Sequence, residues 1–144
     1  MLQAVAVGAC GLYAGAAAYI TLVQHPSLLR LEDHRVQAAF FADMYGLAGR
    51  FMAPLHVLGS VAAVSVWVLD RSQKLFLVGG LIMGSILPFT TFAMLRLNND
   101  LRRCGHRRKP SWLVTKLRRW GHLHAVRSAL SASATATLLA ALHL

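Results

Sequence analysis

At 144 residues, with 56% hydrophobic and only 14% charged side chains and a mean hydropathy of +0.52, the chain is too apolar for an ordinary soluble domain, where roughly a quarter of residues are charged. The net charge of +10 would suit nucleic acid, but nine of the fifteen Lys and Arg lie between Arg96 and Arg119. Charge gathered in one inter-span stretch points instead to anionic lipid headgroups, and nucleic acid is excluded as a partner.

Residues 4–23 carry no charge, long enough for the ~20 residues that cross ~30 Å of hydrocarbon. They lack the basic leader and the clear cleavage site of a signal peptide, so a retained first span is expected. His25-Pro26 closes it. Residues 27–50 are too long for a turn. Ser27 could cap a helix through Leu28, Leu29, Leu31, Val36, Phe40, Phe41, Met44 and Leu47, read as an interfacial helix merging into the second span. It could be a lid over that end or a plain connector.

The second span, 51–69, holds His56 as its one ionisable group, and the third, 75–95, holds none. Pro88 should kink the third, with the freed carbonyl near Gly84 served by Ser85, Thr90, Thr91 or water. Asn98 and Asn99 follow. Arg102, Arg103, Arg107, Arg108 and Lys109 read as a lipid-contacting patch. The fourth span, 120–143, carries His122, His124, Arg127 and His143.

One transmembrane domain over 1–144 follows, an all-α four-helix bundle with an interfacial helix between spans one and two. The first and third connections hold Arg30, Arg35, Arg50 and the nine basic residues from Arg96 to Arg119, against only Arg71 and Lys74 in the second. Both termini are therefore expected to be non-cytoplasmic, in an ER-type membrane in a eukaryote or the inner membrane in a bacterium. Cys10 and Cys104 are too far apart in this topology to pair. Gly11 with Gly15, Gly80 with Gly84, and Ala125, Ala129, Ser133 and Thr137 recur four apart, as close-packing membrane helices do.

This topology brings His25, Arg50, His56, Asn98, Asn99, Trp120, His124 and Arg127 to one half of the bundle. Trp120, His124, Arg127, Ser128, Ser131 and Thr135 follow three- and four-residue steps and make a polar stripe. An arginine inside a span costs ~2.5–3.5 kcal/mol even on the lenient scale, so Arg127 is read as facing inward to a partner or a cavity. Bland readings stand beside each of these. His25 could only end a helix, His56 could be a core histidine bonded to a carbonyl, and Asn98 and Asn99 could cap the third helix.

Tyr45-Gly46-Leu47-Ala48-Gly49-Arg50 with Pro54, Pro88-Phe89-Thr90-Thr91, Leu97-Asn98-Asn99-Asp100-Leu101 and Trp120-Gly121-His122-Leu123-His124-Ala125-Val126-Arg127 together resemble the anthrone oxygenase family of small four-helix membrane proteins, over nearly the whole chain. The resemblance implies a monooxygenase that converts polycyclic anthrones to anthraquinones with dioxygen, as in fungal polyketide synthesis. By position it implies Asn98, Trp120, His124 and Arg127 as site residues, with Tyr45 and Arg50 beside them.

An anthrone can lose a benzylic proton to give an electron-rich anion that reduces dioxygen, with no cofactor required. The expected roles are His124 or His56 as base, Arg127 as stabiliser of the anion, Asn98 as a polar handle, Trp120 and Tyr45 as flat walls, and Arg50 as a further binding residue. A neutral, base-competent fraction of imidazole is available near its ordinary pKa of ~6.5. A second reading joins His25, His56 and His124 around copper, iron or zinc. A third is non-catalytic: a protein binding a quinone, lipid or haem, or an assembly factor. The partners expected are a hydrophobic aromatic small molecule, dioxygen, anionic lipid and, in an open alternative, further copies of the chain. No inverted repeat supports transport.

Overall fold

The computed structural model describes residues 1–104 and 109–143. All regular structure among them is helical, with no strand. The first rod is α1 (Leu2–Tyr19), a π-turn at Ile20–Gln24 and α2 (His25–Leu29). After a short break comes α3 (His34–Leu69), then α4 (Lys74–Gly84), α5 (Ile86–Phe89), a second π-turn at Thr90–Met94 and α6 (Leu95–Arg103), and finally α7 (Pro110–Ala141).

Three stretches, Leu2–Leu29, His34–Leu69 and Lys74–Arg103, are long and apolar enough to cross a membrane. The fourth rod, α7, is 32 residues long but falls outside that group. The His, Arg, Ser and Thr of its polar stripe lower its hydropathy, and of these His124 and Ser131 are buried. The first rod packs against α3 and α7, and α4 also packs against α3 and α7, so each rod has two neighbours.

The helix expected to merge into the second span does so, and residues 34–50 are the first turns of α3, not a separate interfacial element. Nor does Ser27 cap it. Ser27 already lies inside α2 and its hydroxyl donates to the Val23 carbonyl at 2.8 Å, the usual four-back bond of a helical serine. Asp33, extended at φ −81° and ψ 110°, is the cap and accepts from the Arg35 amide at 2.7 Å. At the other end of α3, Asp70 accepts from the Ser72 hydroxyl at 2.7 Å and the Ser72 amide at 3.0 Å. These bonds hold the Asp70 carboxyl below its ordinary range. The Arg71 guanidinium lies 3.8 Å over the Trp67 ring and closes the same turn.

Helices approach closely at three glycines. A Cβ on Gly59 would stand 2.7 Å from Cys10 Sγ, on Gly79 2.7 Å from Leu138, and on Gly80 3.1 Å from Ala63. Of the expected small-residue faces, Gly80 is in place. Gly15 and Gly84 meet nothing within 4 Å, and Ala129 and Ser133 are exposed. The inward face of α7 is instead Trp120, His124, Ser131, Ala134 and Leu138. Cys10 and Cys104 are both buried and are not joined to each other. Arg102, Arg103 and Lys109 are exposed, while Arg107 and Arg108 lie outside the described residues.

Pro88 has no amide hydrogen for the Gly84 carbonyl, and the helix breaks there. The Met83 carbonyl nearby accepts from His56 Nε2 at 2.9 Å. Ser85 Oγ donates to Ile82 at 2.7 Å and Thr91 Oγ1 to Leu87 at 3.0 Å. The buried Thr90 hydroxyl has no partner among the described residues.

Candidate functional site

A recess of about 180 Å³ opens between the rods at the level of the two π-turns. Tyr13 and Ile20 line it from the first rod, Met44, Tyr45, Ala48, Met52 and His56 from α3, Ile86 and Thr90 from the broken third rod, and Trp120, His124 and Arg127 from α7. The α7 residues arrive together because steps of four and three residues keep them on one face.

His124 is 2% exposed. Its Nδ1 lies 2.9 Å from Thr21 Oγ1, and its ring stacks on Trp120 with centroids 4.7 Å apart and planes at 24°. The second ring nitrogen has no hydrogen-bond partner among the described residues. Trp120 is held in turn: its indole N–H donates to Asn98 Oδ1 at 2.9 Å, and Phe41 meets it edge-on at 5.1 Å. Phe41 also stacks on Tyr45 at 5.8 Å, and the Arg102 guanidinium sits 5.6 Å over the Tyr45 ring.

Arg127 donates from Nη2 to Tyr13 Oη at 2.7 Å, and its buried Nε has no partner. Among the described residues no carboxylate pairs with it; the ion pair that is formed joins Lys116 to Asp100 at 3.9 Å. A half-buried guanidinium without a counter-charge strongly favours an anion beside it.

Tyr45, His56, Trp120, His124 and Arg127 thus surround one space, as the helical stripe and topology suggest. Asn98 does not line it. It stands behind Trp120, and its Nδ2 is buried without a partner among the described residues. Arg50 is exposed and apart from the recess. His25 donates from Nε2 to the Leu117 carbonyl at 2.9 Å and lies behind Trp120, with ring centroids 5.5 Å apart. Its ring covers Gly121, where a Cβ would come within 2.7 Å of Nδ1. His25 and His56 both spend Nε2 on carbonyls, and no group of three His, Cys, Asp or Glu among the described residues is placed to hold a metal.

Sequence reasoning missed Tyr13, Thr21, Met44 and Met52. Tyr13 had a usable signal, since it lies on the Ala6, Cys10, Ala17 face of α1 and its hydroxyl needs a partner in an apolar span. A family model described as anthrone oxygenase matches residues 41–137, covering α3 from Phe41 onward through most of α7. Searches of curated proteins and of solved structures give no match.

Proposed function

The chain belongs to the anthrone oxygenase family, and on that footing we propose that it is a four-helix-bundle membrane oxygenase that oxidises an anthrone-like polycyclic ketone to a quinone with dioxygen. The single observation that carries this reading is Arg127, a guanidinium with no carboxylate among the described residues, beside a histidine whose second ring nitrogen is unbonded among them, in a recess walled by Trp120, Tyr45 and Met side chains. Such a site suits an oily, flat molecule that becomes an anion.

His124 removes one proton from the methylene opposite the ketone, and the ketone oxygen becomes phenolate-like against Arg127. The anion passes one electron to dioxygen. The resulting superoxide and carbon radical join in a C–O bond, and the peroxide takes a proton from the imidazolium. Loss of the second methylene proton breaks the O–O bond and expels hydroxide, which leaves as water with that proton. Carbon gives up four electrons; one oxygen atom becomes the new carbonyl and the other becomes water. His56, whose Nε2–H is spent on Met83, is the alternative base through Nδ1. Asn98 serves by holding Trp120.

The recess lies below the ~300 Å³ low end of ordinary ligand pockets. A tricyclic substrate therefore enters as a slab and displaces the flexible Met44 and Met52 side chains. The test is oxygen uptake by the purified protein in detergent on adding anthrone. The expected result is one dioxygen consumed per quinone formed, with His124→Ala and Arg127→Ala each folded and inactive. Wild-type rates in both variants would overturn the assignment. Saturable binding of anthrone with no oxygen uptake would make the protein a binder instead.

A further inference from the structure

We infer that Thr21 and Ser128 fix His124 as its Nδ1–H tautomer, leaving the Nε2 lone pair as the nitrogen available to the recess. The argument is a count of protons. Ser128 Oγ lies 3.0 Å from the Ala17 carbonyl, 3.2 Å from the His124 carbonyl and 2.7 Å from Thr21 Oγ1. Thr21 Oγ1 in turn lies 2.9 Å from His124 Nδ1.

Each hydroxyl owns one hydrogen, and a carbonyl can only accept. If Ser128 donates to a carbonyl, Thr21 must donate to Ser128 and Nδ1–H must donate to Thr21, so every link is satisfied. In the reverse direction Ser128 donates to Thr21 and Thr21 to a bare Nδ1. One bond is then lost, and Ser128 faces the Ala17 carbonyl lone pair to lone pair at 3.0 Å. In a part-buried site between packed helices, that loss decides the direction.

His25 and His56 donate to carbonyls through Nε2 and so carry the opposite tautomer. Thr21 sits on the π-turn that interrupts the first rod, and Ser128 sits one turn beyond His124 on α7. Neither lines the recess, so both are positioning residues. Their catalytic meaning rests on the function proposed above; the tautomer itself does not.

The test is nitrogen-15 NMR of the full chain in detergent with labelled histidine, the His124 signals being assigned by their loss in His124→Asn. The expected wild-type pattern is a protonated Nδ1 and a bare Nε2. Ser128→Ala removes the acceptor for the Thr21 proton, so Thr21 should turn toward Nδ1 and the signals should switch to the Nε2–H pattern. Thr21→Val should give a mixture, and Thr21→Ser should restore the wild-type pattern.

With anthrone, Thr21→Val should lower kcat about 10–100-fold, the order of loss seen when the outer-shell partner of a metal-bound histidine is removed, with KM unchanged and Thr21→Ser active. A wild-type His124 found as Nε2–H, or a tautomer indifferent to both Ser128→Ala and Thr21→Val, would overturn the inference. A correct tautomer in a protein that consumes no oxygen with anthrone would overturn the proposed function and leave this inference standing.

Discussion

The Arg127 guanidinium donates to the Tyr13 hydroxyl across two helices and 114 residues of sequence, at 2.7 Å. The phenol accepts this bond without neutralising the cation, so the positive charge stays available to the recess while its geometry is fixed.

Arg127→Gln should therefore lower kcat by about 10²–10³-fold, the usual cost of removing a donor aimed at developing negative charge. Tyr13→Phe should cost less, since the cation survives with a freer side chain. Oxygen-electrode rates with anthrone, alongside thermal unfolding to confirm the fold, check both. Equal losses in the two variants would mean that Tyr13 does more than position Arg127.

Asn98→Ala leaves the buried Trp120 N–H without an acceptor, at a cost of about 1–3 kcal/mol. It should lower the unfolding midpoint and change tryptophan fluorescence. Because Trp120 stacks on His124, kcat should also fall. Asn98→Gln, which retains an acceptor, should recover part of both.

Gly121→Ala puts a methyl against the His25 ring, within 2.7 Å of Nδ1. Overpacking of this kind costs about 1–3 kcal/mol. The partner variant His25→Ala should relieve most of it, so the double variant should be more stable than the two single losses together predict. Additive losses would show that the clash is taken up elsewhere.

Ala48→Phe narrows the recess without touching His124 or Arg127. KM for anthrone should rise at least several-fold, while unfolding shifts little because Ala48 is only partly buried. Measuring KM and kcat separately distinguishes occlusion from damage to the catalytic groups.

Much of the site is legible in the sequence because a polar stripe in an apolar helix has one cheap direction to face. Trp120, His124, Arg127, Ser128 and Ser131 obey that rule. The small residues of α7 do not decide a face, since they recur on more than one side; Ser133 and Ala129 fit a packing motif as well as Ser131 and Ala134, yet only the latter pair is buried. The pairing of Asn98 with Trp120 and of His25 with Leu117 depends on how two rods settle side by side, and spacing along one chain carries no record of that. The merging of this segment into the second span is legible, but its starting point is not, because Ser27 and Asp33 both offer a capping side chain. Asp33, extended, caps α3, while Ser27 lies inside α2 and cannot.

α3 runs for 36 residues, about 54 Å at ~1.5 Å per residue, far more than a ~30 Å hydrocarbon slab can hold. Its apolar portion from Phe51 to Leu69 matches that thickness, so the turns before it stand like a mast above the waterline. Met44, Tyr45 and Met52 straddle that junction. On the proposed function, an oily polycycle would slip in sideways from the acyl chains, and the water made in the reaction would have only a short climb to the aqueous phase.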